Sequence, residues 1–207
     1  MVTFKELFER KKKLKDNDIF RALKSIEKFH KSSKKNNNNI ENIHIVDSVQ
    51  KKPSLERQVK KGKLDPNRCD VILFPINYQQ SPNCLPHWTA GVYFNNKSIP
   101  QVFHYDSLGN FNKSAFEDRL NELKEVGLIR EDTLDLSPLT YFTQESNWEC
   151  GYFTIFSFFC TVHTGKSIIH TEFTSDLNKL LSKFCSLLDS IIQDFPPPNT
   201  WGDDRYE

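Results

Sequence analysis

The chain has 207 residues, with 28 lysines and arginines against 27 aspartates and glutamates. That near balance gives no reason to expect nucleic acid or an anionic membrane surface as partner, and no apolar run is long enough to span a bilayer. The length suits one domain that buries about 70% of its unfolded surface, enough for a real core.

Five cysteines, an odd number at irregular spacing, argue against a disulfide framework and for a reducing compartment, so a cytosolic location is expected. The N-terminus, MVTFKELFERKKKLKD, has charge but no apolar core and no small-residue cleavage site, and does not read as a secretory signal. Phe4, Leu7 and Phe8, then Ile19, Leu23, Ile26 and Phe29, fall at helical spacings and predict a helical arm over 1–33. The tract KSSKKNNNN predicts a mobile polar loop over 31–40, after which IENIHIVDS resumes structure. Residues 49–68 are charged and proline-punctuated and read as a surface connection.

DVILFPINY, HWTAGVYF and QVFHYDS are predicted strands, the last two flanking the turn residues of NNKSIP as antiparallel neighbours. KSAFEDRLNELKEVG is an amphipathic helix, with Phe116, Leu120 and Leu123 in one stripe and Gly127 where a C-cap belongs. LTYFTQ reads as one more strand. The run 151–163 holds aromatic and β-branched residues that favour strands, but its length and lack of alternation point to a buried helix closed by HTGK. SDLNKLLSKFCSLLDSIIQ opens at Ser175 and predicts a last helix, with a tail over 196–207. The order of elements is α+β, in a single domain over 1–195.

The chemistry centres on Cys150, which stands at the entrance to the buried run. A thiol attacks only as thiolate, and a helix N-terminus or a nearby imidazolium lowers its pKa. Gly151 leaves room beside the sulfur for a substrate backbone. A base, a group that orients it and an oxyanion donor complete such a site. His87 opens one predicted strand and Asp106 closes the next, at one edge of the sheet. Gln144 lies six positions before Cys150 (150 − 144), where its amide and the Cys150 backbone N–H can serve an oxyanion. Each residue also has an ordinary reading: a core cysteine, a strand-edge histidine, a turn-capping aspartate. His104, two residues from Asp106, is a rival base that the residues alone leave open. A zinc site at Cys69, Cys84 and His87 is not favoured, because CLPH has no CxxC and no second short pair beside it. Cys69, Cys160 and Cys185 read as buried thiols.

In order, HW, YDS, Q and CG resemble the catalytic set of the Ulp1/sentrin-specific protease family, whose clan also holds adenovirus-type proteases and bacterial deubiquitinases. HWTAGVYF and FHYDS resemble its histidine and aspartate strands. LKDNDIFRAL resembles its N-terminal WLND helix, and NIHIVDS the segment after it, so the likeness runs from about Leu14 to the last helix. It implies a papain-like fold in permuted order, a mostly antiparallel central sheet with flanking helices, and no cofactor or metal. It implies Cys150 as nucleophile, His87 as base, Asp106 as its orienting carboxylate and Gln144 as oxyanion donor. Trp88, Trp148, Gly151 and Asp16 become substrate-binding positions.

The implied activity is that of a monomeric isopeptidase cutting after the C-terminal Gly-Gly of ubiquitin or a ubiquitin-like protein (NEDD8 or SUMO). Two departures bear on specificity. Glu149 replaces the family's aspartate before the cysteine, and Lys13 replaces the first tryptophan of the aromatic lid, for which Trp148 is a substitute. The lost lid resembles the bacterial deubiquitinase branch and makes ubiquitin the first expectation. The alternatives are an acetyltransferase of the same clan, for which the chain has little spare length, and a non-catalytic ubiquitin-binding module, against which four intact positions argue.

Overall fold

Three strands form where apolar and β-branched residues are continuous enough to be buried on both faces. They are β2 (Val71–Tyr78), β3 (His87–Phe94) and β4 (Gln101–Tyr105). The computed structural model describes residues 2–33, 40–48, 51–79, 86–95, 98–109, 111–136, 143–144, 146–165 and 177–197. β2 and β3 are antiparallel from Val71↔Phe94 to Tyr78↔His87, and β3 and β4 from Phe94↔Gln101 to Ala90↔Tyr105. A short parallel strand flanks each side: β1 (Ile43–Ile45) on β2 and β5 (Leu134–Asp135) on β4.

Among the described residues six α-helices flank this sheet: α1 (Phe4–Glu9), α2 (Asp16–Ser32), α3 (Lys52–Lys60), α4 (Lys113–Glu125), α5 (Cys150–Thr164) and α6 (Leu177–Asp194). Strand alternation divides the core in two. Trp88, Ala90 and Val92 with Phe103 and Tyr105 join the cluster filled by α1, α2, α5 and α6. Ile72, Phe74, Tyr93 and Val102 join Leu55 of α3 and the α4 stripe of Phe116, Leu120 and Leu123. The fold is α+β, as expected. Among the described residues no helix is long and apolar enough to cross a membrane.

The N-terminal arm is two helices, not one. Thr3 and Glu6 form a capping box at α1, and Asp189 of α6 accepts from the Phe4 and Lys5 N–H groups at 2.7 and 3.0 Å. The break falls at the basic run, where Leu14 is the sole apolar side chain and Lys11 has φ 53°. α2 continues through Ser32, into the expected polar loop, of which residues 34–39 lie outside the described residues.

Residues 52–60 form α3 where a connection was expected. Pro53 sits in its first turn, where a proline starts a helix and does not interrupt one, and Leu55 is buried. Gly127 follows the α4 C-cap at φ 75°, in the expected capping place. Of LTYFTQ, only Thr143 and Gln144 are described, and neither is in a strand; Ser175 and residues 198–207 are also outside the described residues.

Candidate active site

α5 begins at Cys150, the first of a run of nine buried residues through Phe158, and packs across β3. The thiol therefore sits at a helix N-terminus whose backbone donors have no helical partner. Burial opposes ionisation. The hydrogen bond with His87, the Trp88 backbone N–H and the positive charges of His87 and Lys13 outweigh it, and hold the Cys150 thiol below its ordinary pKa. At Cys69, Cys160 and Cys185 burial dominates and pushes each up to about 12, the main-chain hydrogen bonds with His44 and Val71 offsetting it only in part at Cys69.

His87 is the first residue of β3, and its Nε2 lies 2.7 Å from Asp106 Oδ1. That contact leaves Nδ1 for Cys150. Burial disfavours the imidazolium, but the hydrogen bonds with Asp106 and Cys150 and their negative charges raise its pKa to about 9. Asp106 is also buried, which works against its charge. His87 and the N–H groups of Asn112 and Leu108, each 2.9 Å from a carboxylate oxygen, hold it below the usual carboxylate value. The three groups thus favour a thiolate–imidazolium pair backed by a carboxylate. Phe111 stands edge-on to the His87 ring at 5.5 Å.

His104 does not join them. Its ring stacks on Phe116 at 4.4 Å, its Nε2 meets Thr89 Oγ1 at 3.0 Å, and burial lowers its pKa to about 4. It is a neutral core histidine beneath the site.

Gln144 is buried beside the Asp106 turn: Ser107 Oγ donates to its Oε1 at 2.6 Å, and its Nε2 donates to Ser146 O at 2.7 Å. Glu149 closes the same loop by accepting from Ser146 N at 3.2 Å. Trp88 is buried, its indole donating to Leu14 O at 3.0 Å. Trp148 packs edge-on against Phe8 and Tyr152, at 5.1 and 5.7 Å, at the base of the arm. Gly151 is likewise accounted for by packing, since a Cβ there would lie 3.0 Å from Leu14 Cβ and 3.2 Å from Ile19 Cδ1. Asp16, half-exposed at the start of α2, accepts from Ser48 at 2.9 Å. Among the described residues no group of three or more His, Cys, Asp or Glu is placed to hold a metal, and Cys69 donates to Val71 O at 2.9 Å.

Two contributors have roles that a reading of the sequence does not give. Asn112 looks like an ordinary helix N-cap, but its Nδ2 donates to His87 O at 2.9 Å while its backbone N–H holds Asp106. Lys13 reads as part of a charge run, yet its Nζ reaches Pro86 O at 3.3 Å, next to His87. Its position in place of a tryptophan was the only signal.

No family model matches the chain, and no curated protein matches it by sequence. Its likeness is in structure. The Ulp1 SUMO protease, solved with its catalytic cysteine oxidised to a sulfinic acid, superposes with a TM-score of 0.66 at 19% identity, covering 92% of this chain and 82% of that one. The chain has the Ulp1 protease fold. The Xanthomonas campestris effector XopD, bound to ubiquitin, gives 0.54 at 18% identity over 85% of this chain and 91% of that one. The Chlamydia trachomatis effector ChlaDUB1 gives 0.57 at 12% over 95% and 93%.

Proposed function

We propose that this chain is a cysteine isopeptidase that cuts after the C-terminal Gly-Gly of ubiquitin or a ubiquitin-like modifier, with ubiquitin as first substrate. The observation that carries the reading is Cys150 as the first residue of α5 with His87, whose Nε2 lies 2.7 Å from Asp106 Oδ1, beside it, an arrangement that lowers the thiol pKa and raises that of the imidazole. The Ulp1 fold supports the substrate class, its solved examples including a SUMO protease and an effector bound to ubiquitin.

In the proposed reaction His87 Nδ1 holds the Cys150 proton, and the thiolate adds to the glycyl carbonyl carbon. The carbonyl electron pair moves to oxygen, where Gln144 Nε2 and the Cys150 N–H stabilise it. Collapse expels the lysine amine, which takes the proton from His87 and leaves a thioester. Water, deprotonated by His87, then releases the modifier carboxylate and regenerates the thiol. Side chains and water supply every proton, so no cofactor is required. Free thiols at Cys69, Cys150, Cys160 and Cys185 suit a monomer working in the eukaryotic cytosol, its own or that of a host.

Ubiquitin, NEDD8 and SUMO carrying C-terminal electrophiles test the reading. We expect adduct formation at Cys150 with at least one, strongest with ubiquitin, and none with Cys150→Ala. Reaction with none of them, or acetylation of Cys150 without reaction with any probe, overturns it.

A further inference from the structure

The two halves of the site meet at one peptide. Asp106 backs the base, and the next residue, Ser107, is tied to Gln144 twice: Ser107 Oγ donates to Gln144 Oε1 at 2.6 Å, and Gln144 N donates to Ser107 O at 3.1 Å. Both side chains are buried. A side-chain amide has two orientations related by a half-turn, and only one presents N–H to an oxyanion; the other presents a carbonyl oxygen, which repels it. The Ser146 carbonyl can only accept, so the amide nitrogen must lie on its side, at 2.7 Å. Ser107 then holds the oxygen side. One Nε2 hydrogen is used by Ser146, which leaves the second to give.

We propose that Ser107 is a positioning residue that anchors the Gln144 amide in the donating orientation selected by the Ser146 carbonyl, an inference that rests on the oxyanion role given to Gln144 above. Without the hydroxyl, Oε1 loses its partner in a buried place; the Ser146 carbonyl still selects the nitrogen side, but the amide is free to shift away from the substrate carbonyl. A donor held ready gains more in the reaction than one that must reorganise when charge develops. Ser107 touches no reacting atom in this scheme. Because it follows Asp106 directly, the base and the oxyanion donor are held in fixed relation by a single turn.

Two measurements separate this role from a merely structural one. Iodoacetamide alkylates Cys150 with no oxyanion, so its rate reads the thiolate–imidazolium pair alone. Acetyl-glycyl-glycinal adds reversibly to the thiol through its carbonyl carbon, and protection against iodoacetamide gives its dissociation constant whether or not any modifier is cleaved. We expect Ser107→Ala to leave alkylation unchanged and to weaken the aldehyde adduct. It should also lower kcat on the coumarin amides of ubiquitin and SUMO by about tenfold with KM unchanged, a fraction of the loss for a whole oxyanion donor. In a Gln144→Ala background it should cost nothing more, and Ser107→Thr should retain the effect of serine.

An equal loss with and without Gln144, a parallel drop in alkylation, or Ser107→Thr as impaired as alanine overturns the proposal. If the aldehyde shows the coupling but no modifier is cleaved, the isopeptidase reading falls and the Ser107 assignment stands. If modifiers are cleaved and the two substitutions are additive, the reverse holds.

Discussion

Cys69, Cys160 and Cys185 share burial with Cys150, so burial alone does not make a nucleophile. The difference lies in the charges that face each sulfur: imidazole and ammonium at Cys150, and the carboxylates of Asp70 and Glu27 at Cys69, both sulfurs having main-chain hydrogen bonds. Lys13 supplies the ammonium, a weaker influence than His87. The pH profile of iodoacetamide alkylation reads this directly. In the wild-type chain the rate should reach its plateau below the ordinary thiol pKa. Lys13→Met should move the inflection upward and Lys13→Arg should leave it in place. His87→Ala should move it further, because burial is then opposed by less, and should cost about a thousandfold or more in turnover. His104→Ala should not shift the inflection upward; an upward shift as large as that of His87→Ala would transfer the base to His104.

At the scale of elements, α5 holds the sulfur and the arm between α1 and α2 roofs it. Trp88 and Tyr152 tie that arm by donating to Leu14 O and Lys12 O at 3.0 and 2.9 Å. Gly151 is where the two press closest. An alanine there gains about 0.5–1 kcal/mol from helix preference, while forcing Leu14 and Ile19 apart costs about 1–3 kcal/mol. Crowding wins. We expect Gly151→Ala to lower Tm by about 2–4 °C, corresponding to about 1 kcal/mol, and to lower turnover through displacement of Leu14. Ile19→Val in the same chain should recover part of the Tm, and a higher Tm in the alanine variant alone would show that the arm gives way freely.

The strands, α4 and α5 were readable because apolar spacing, β-branching and a capping glycine all agreed. α3 was not, because Pro53 marks both turns and helix starts. β5 was not, because two exposed residues carry no pattern. Of the site, Cys150, His87, Asp106 and Gln144 were singled out by type and order. Ser107 and Asn112 act through hydrogen bonds over 37 and 25 residues, which no local pattern encodes.

At the scale of the whole molecule, the sheet has a core on each face, and each core contributes a histidine to the pH dependence of stability with opposite sense. His87, raised to about 9 beside Asp106 and Cys150, contributes stability that is fully present below its unfolded pKa of about 6.5 and is lost as pH rises through 9. His104, lowered to about 4 in the α4 core, must stay neutral when folded. The unfolded chain takes up that proton from about pH 6.5 downward, so folding weakens between 6.5 and 4, by about 3 kcal/mol at the lower end. His44, lowered by burial, adds to the same slope. Cys150, lowered beside His87, gives up a proton on folding and so opposes the alkaline loss; stability should therefore fall on the acid side of pH 6.5 and change less above it. Denaturant unfolding followed at half-unit steps from pH 8 to 4 measures this. His104→Gln should lower stability at neutral pH, through the lost stack on Phe116, yet flatten the decline on the acid side. A slope unchanged by that substitution would mean that His104 takes up its proton in the folded chain, and that the α4 core opens to water before the rest of the molecule unfolds.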